Sequence, residues 1–187
     1  AGRVGSSLVP AVVGVSPYTS TLEAYLRVRG ELPPVPDNQS MRMGRILEPV
    51  VAKLFTEETG MRVRNPKAVY AHPKNKLYVA SPDRLIVGKH AVLECKTGGD
   101  RQKGKWKDGK VPLWYEVQVM WQLMVMGLEE AYIAALLGGQ EFIYRHIKYD
   151  PEIADYILKI VDEFMGMVED GTPPEPTIPI SSSTIFR

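Results

Sequence analysis

At 187 residues and 20.9 kDa the chain is long enough to bury a sizeable core, and its 44% hydrophobic and 24% charged residues are ordinary for a globular protein. A single cysteine, Cys95, excludes an internal disulfide, a zinc knuckle and a four-cysteine iron–sulfur cluster. A net charge of +1 removes any nucleic-acid argument from bulk charge but not from local clustering, and no apolar run approaches the ~18 residues that span a bilayer.

The chain begins without Met and lacks the basic-then-apolar start of a signal peptide, so the expected compartment is the cytoplasm, with no membrane partner. A helix is expected over about Thr21 to Arg29, after the turn Ser16-Pro17-Tyr18 and before Gly30, followed by a Pro-rich loop from Leu32 to Asp37. Apolar residues at helical spacing predict a second helix from Met43 to Phe55, stopped by Gly60. Pro49 falls inside that pattern, where it removes a backbone donor and biases Glu48 away from helical angles, so the helix either starts near Pro49 or kinks there. Strands are expected at Ala68 to His72, at Leu77 to Ala80 together with Arg84 to Val87, and at Ala91 to Cys95. A nearly all-apolar helix from Trp114 to Gly127 should be buried against a sheet. A hairpin follows, Ala131 to Leu137 and Phe142 to Lys148 around Gly138-Gly139, then a helix from Pro151 to Val168. The whole of 1–187 reads as one domain, with its core at about 41–148 and an irregular tail at 171–187.

The densest chemistry lies in Ser81-Pro82-Asp83 and Glu94-Cys95-Lys96. With Gly88-Lys89 as a two-residue turn, Asp83 falls directly opposite Glu94, and cross-strand partners have Cβ atoms roughly 4.5–5.5 Å apart. The side-chain period of two then sets Lys96 on the same face as Glu94. Facing carboxylates repel unless a cation separates them, and Mg²⁺ takes one or two carboxylates, waters and phosphate oxygens. A neighbouring ammonium suits an attacking water or the charge developing on a phosphate.

Two polar intrusions accompany this hairpin. Glu48 precedes a helix-disrupting proline, a locally unfavourable choice of the kind found at functional sites. Tyr115, Gln118 and Gln122 form one polar stripe on the apolar helix, facing either a polar cleft or solvent, since a buried amide without a partner costs about 1–3 kcal/mol. His72, His90 and His146 lack partner spacing and read as surface or structural residues.

Several blocks together resemble the YqaJ-type viral recombinase family, related to phage lambda exonuclease within the PD-(D/E)XK nuclease superfamily. They are Gly5-Ser6-Ser7 through Val13 to Tyr18, Gly44 with Glu48-Pro49, Ser81-Pro82-Asp83, Glu94-Cys95-Lys96-Thr97, Tyr115 with Gln118, and Leu137 to Phe142. The resemblance implies a mixed α/β fold with an αβββαβ core and added helices, and hydrolysis of DNA phosphodiesters with one or two Mg²⁺ or Mn²⁺ ions. By position it implies metal ligation by Asp83, Glu94 and Glu48 with the main-chain carbonyl of Cys95, Lys96 as the catalytic lysine and Gln118 as an active-site amide. Ser7, Tyr115 and Gln122 would contact DNA. The family's second glutamine, two residues after the first, is Met120 here, so its role is vacant or passes to Gln122, and the basic residue preceding the serine would fall before residue 1. The family also suggests a 5′-to-3′ double-strand exonuclease that supplies single strands for recombination, a single-strand annealing protein as partner, and a homotrimeric ring.

The segment holding Arg101, Lys103, Lys105 and Lys107, with Trp106 among them, is expected to lie along DNA, lysines on phosphates and the indole on an exposed base. The competing readings are an endonuclease on the same core, a non-catalytic DNA-binding module, which Asp83, Glu94 and Lys96 argue against, and a glycosidase with paired carboxylates, which Lys96 and the basic segment fit less well than a phosphate.

Overall fold

The structure, a computed structural model, describes residues 2–176, so most of the tail expected at 171–187 lies outside the described residues. Among the described residues, eight strands and five α-helices run in the order β1 (Val4–Gly5), α1 (Val9–Val13), α2 (Thr21–Val28), α3 (Gln39–Thr59), β2 (Val63–Arg64), β3 (Tyr70–Ala71), β4 (Tyr78–Ala80), β5 (Arg84–Ile86), β6 (Ala91–Gly98), α4 (Leu113–Met126), β7 (Glu130–Leu137), β8 (Glu141–Lys148) and α5 (Pro151–Asp170). A 3-10 stretch, Asp100–Gly109, bridges β6 and α4. No helix of the described residues is long and apolar enough to cross a membrane.

The strands of the described residues form two sheets, β2-β5-β6-β7-β8 and β1-β4-β3. In the larger one β5–β6 and β7–β8 are antiparallel and β6–β7 parallel, with α4 as the crossover that a parallel pair requires. The expected αβββαβ core is therefore α3-β2-β5-β6-α4-β7. Its first strand is Val63–Arg64, too short to show as a periodic run. The stretch from 77 to 87 is not one strand: β4 and β5 belong to different sheets, parted at Ser81-Pro82-Asp83, where Pro82 has no N–H to continue a ladder.

The expected register holds, with Arg84 opposite Leu93 and Leu85 opposite Val92. The turn differs. Lys89 N donates to Ile86 O at 3.3 Å and Gly88 has φ 80°, so Gly88 occupies the third position of the turn Ile86 to Lys89, where positive φ favours glycine.

Helix α3 starts earlier than its apolar pattern, because Asn38 caps it by accepting from Met41 N at 2.9 Å, and it runs through Pro49. Its second half buries Val51, Ala52 and Phe55 against Ile86, Ala91, Leu93, Ala134 and Leu136, on one face of the sheet. The other face takes α4, where Val119 and Leu123 meet Val92, Ile133, Ala135 and Leu137. The far side of α4, with Met120, Trp121 and Val125, packs into a third cluster with α1, α2 and α5. Strand alternation thus turns Cys95 toward α3 and Glu94 and Lys96 toward α4.

The 3-10 stretch corrects one expectation. Trp106 is only 1% exposed, packed with Val92, Val119 and Leu123, so its ring is not free to stack on a DNA base. Indole burial outweighs the polarity of the surrounding lysines.

Candidate active site

The connection between β4 and β5, strand β6 and helices α3 and α4 enclose a cleft of about 740 Å³ lined by Ser7, Glu48, Asp83, Glu94, Lys96 and Gln118, among others. These six, singled out in sequence, come together from five separate stretches of chain. Tyr115 lines the same cleft and places its ring centroid 4.7 Å from the Lys96 ammonium.

Glu94 is the hub. Its Oε1 accepts from Lys96 Nζ at 2.7 Å and from Gln118 Nε2 at 2.7 Å, while Oε2 accepts from Gln122 Nε2 at 2.9 Å. Gln118 Oε1 in turn accepts from Lys96 at 2.9 Å, closing a triangle of carboxylate, amide and ammonium. Helical spacing produces this: Gln118 and Gln122 are one turn apart on α4, on the face that meets β6. The polar stripe faces a polar cleft, not solvent. Gln122 is fully buried, so its expected contact with DNA is corrected: it supports Glu94 from beneath. Met120 points into the opposite core cluster, where its sulfur accepts from Asp150 N at 3.3 Å.

Asp83 accepts from the main-chain N of Cys95 at 2.7 Å, which fixes its carboxylate across from Glu94. Burial, with the charge of the facing Glu94 adding to it, pushes the Asp83 carboxyl up to about 7, against the opposing Cys95 hydrogen bond and the Lys96 charge. Burial opposes the charge on Lys96, but Glu94, by charge and hydrogen bond, outweighs it and holds the ammonium above its usual range. Burial also raises the Cys95 thiol, with the Asp83 and Glu94 charges adding to the rise, so Cys95 is no nucleophile.

Glu48 reaches the cleft from α3 but is tied to Arg84, whose Nη1 lies 2.5 Å from Glu48 Oε1 and 2.6 Å from the main-chain oxygen of Asp83. Arg84 is the residue that sequence reading missed. Its position next to Asp83 was the available signal, but the partner is remote in sequence. Among the described residues no three His, Cys, Asp or Glu side chains form a ready ligand cage. The donor set nonetheless fits a hard cation: Asp83 and Glu94 are opposed oxygen donors, burial and then the facing Glu94 charge disfavour the Asp83 carboxylate in the absence of a cation, and Mg²⁺ needs only one or two carboxylates.

The expected basic track is divided. Lys105 lies over the Trp114 ring, 4.7 Å from its centroid, Lys103 pairs with Asp100 and Glu141, and Arg101 and Lys107 are exposed. Lys103 and Lys107 line a separate cavity of about 510 Å³ beside β8.

Against known proteins, YqaJ of Bacillus subtilis (strain 168) is 38% identical over 165 residues, covering 86% of this chain and 51% of that protein, so the chain spans about half the length of the curated relative it matches. Among solved structures, an alkaline exonuclease from Laribacter hongkongensis superimposes with TM-score 0.76 at 20% identity, covering 91% of this chain and 90% of that one. A phage related exonuclease from Haemophilus somnus 129PT gives TM-score 0.70 at 14% identity, with coverages of 90% and 94%. At these identities the likeness is one of fold, and it agrees with the mixed α/β architecture expected from the sequence. The model of the YqaJ-like viral recombinase domain matches residues 1–129, and with the Bacillus relative it establishes that this chain belongs to that family.

Proposed function

We propose that the chain is a metal-dependent DNA exonuclease. The observation that carries this reading is Asp83 facing Glu94 in a cleft, with Lys96 hydrogen-bonded to Glu94 and Gln118. The structural neighbours support it: two are described as exonucleases, and a further structure of the Laribacter enzyme contains dAMP.

Asp83 and Glu94, with the main-chain carbonyl of Cys95, would hold one or two Mg²⁺ or Mn²⁺ ions, and Glu48 would add a carboxylate from α3. Such an ion supplies Lewis acidity at the phosphate and lowers the pKa of a bound water. The chain's own contribution is positional. Gln118 and Gln122 occupy lone pairs of Glu94 and fix its carboxylate plane. Lys96, anchored at 2.7 and 2.9 Å, keeps its proton and places a positive charge where phosphate oxygens gain negative charge. Ser7 and Tyr115 line the cleft and would contact the scissile strand, and the exposed Arg101, Lys105 and Lys107 would offer cations to the duplex.

The finer reading is 5′-to-3′ digestion of duplex DNA in the cytoplasm of a bacterial or phage-infected cell, yielding single strands for an annealing partner, by a homotrimer. Incubation of end-labelled linear and closed circular duplex with Mg²⁺ tests it. Mononucleotide release from the linear form alone, starting at 5′ ends, is the expected result, and cutting of the circle would make the chain an endonuclease. Light scattering at about three times 20.9 kDa would support the trimer.

A further inference from the structure

Tyr18 is 62% exposed and lines the same cleft as Asp83, Glu94 and Lys96. Its loop is fixed. Ser16 Oγ accepts from both Tyr18 N and Thr19 N at 3.1 Å, a local turn that holds the ring out from the chain. From behind, Trp114 meets Tyr18 edge-on with centroids 6.3 Å apart, and Trp114 is itself braced by Tyr115 at 5.5 Å and by the Lys105 ammonium. At the hydroxyl end, Gln102 lies 3.4 Å away. Trp114 thus supports the ring and Gln102 approaches its hydroxyl, while the residue stays largely exposed at the cleft.

An exposed aromatic held rigidly at the rim of a phosphodiester site matches the requirement for stacking a nucleobase: every base has a π-face, and a ring fixed beforehand loses little entropy on contact. The buried Trp106 cannot serve this purpose. We propose that Tyr18 is a substrate-positioning residue, a platform on which the DNA base next to the scissile phosphate stacks. The proposal rests on the nuclease reading above and adds to it the residue that grips the base. Because stacking is indifferent to base identity, it supplies affinity and alignment without sequence preference.

The test uses the Asp83→Asn protein, which should bind DNA without cutting it, and a duplex carrying 2-aminopurine at its terminal base and a fluorescein at the far end. Anisotropy reports binding and 2-aminopurine emission reports stacking. With Tyr18 present, and equally with Tyr18→Phe, emission falls on binding. Tyr18→Ala should leave the emission at the level of free duplex and weaken binding on the order of ten-fold, in keeping with the loss of one base–aromatic stack. In the otherwise native protein, Tyr18→Ala should raise KM by a similar factor, with Tyr18→Phe near wild type. Undiminished quenching in bound Tyr18→Ala overturns the proposal while leaving the nuclease reading intact, and so does a Tyr18→Phe protein as impaired as Tyr18→Ala, since the hydroxyl would then be what matters. Absence of any anisotropy change with Tyr18 present would instead overturn the nuclease reading, and this proposal with it.

Discussion

Gln122, with no exposed surface at all, donates its amide to Glu94 Oε2 at 2.9 Å, so the carboxylate at the centre of the cleft is held from the protein's interior. Replacing it with leucine, of similar size, strips a buried charged acceptor of a donor. The expected cost is about 1–3 kcal/mol in urea unfolding, together with a fall in hydrolysis as Glu94 loses its orientation. Unchanged stability and rate would show that Gln122 is only packing.

Asp83→Asn is nearly isosteric and retains an oxygen that can accept from Cys95 N. It should abolish hydrolysis and leave the circular dichroism spectrum unaltered. Full activity in this variant would remove Asp83 from the metal site.

Lys96→Ala should separate turnover from binding. The ammonium sits against Glu94 and Gln118, and in the proposed function it would oppose charge developing at the phosphate, so kcat should drop by roughly 10²-fold or more. The Kd for duplex should change by only a few-fold. Equal losses in both would make Lys96 a binding residue.

Metal removal should expose the strain at Asp83. Its carboxyl is pushed up to about 7, whereas in the unfolded chain it titrates near the ordinary carboxyl value of about 4. A folded pKa above the unfolded one means that the folded state holds the proton more tightly. Relative stability is therefore greatest below about pH 4 and is lost as pH rises toward 7. In EDTA, wild type should lose stability relative to Asp83→Asn between pH 5 and 7, by at most about 1.4 kcal/mol per pH unit. Mg²⁺ at pH 7 should restore it. Parallel pH profiles of the two proteins in EDTA would contradict the raised carboxyl.

The basic segment should act unevenly. Lys103 is already paired with Asp100 and Glu141, whereas among the described residues Lys105 meets only the Trp114 ring. Lys105→Ala should weaken duplex binding and reduce the slope of log K against log salt by roughly 0.9, the loss of one phosphate contact. Lys103→Ala should change the slope less. The reverse order would place DNA on the β8 side.

What the sequence determined by itself is what depends on neighbours in the chain. The β5–β6 register that turns Asp83 toward Glu94 was legible because a hairpin register is set by a short loop and by alternation, and the β7–β8 hairpin was legible at Gly138-Gly139 for the same reason. Lys96 beside Glu94, and Gln118 one turn from Gln122, follow from periods of two and 3.6. The assignment of β4 and β5 to different sheets, the ion pair from Arg84 to Glu48, and the burial of Trp106 and Gln122 were decided only by tertiary structure. Each depends on which remote surface arrives opposite. A polar stripe on a helix has the same pattern whether it meets water or a carboxylate, and a tryptophan among lysines is buried only if the sheet and α4 leave room for its indole. Local spacing sets the direction of a side chain, and only the packed fold supplies what it meets there.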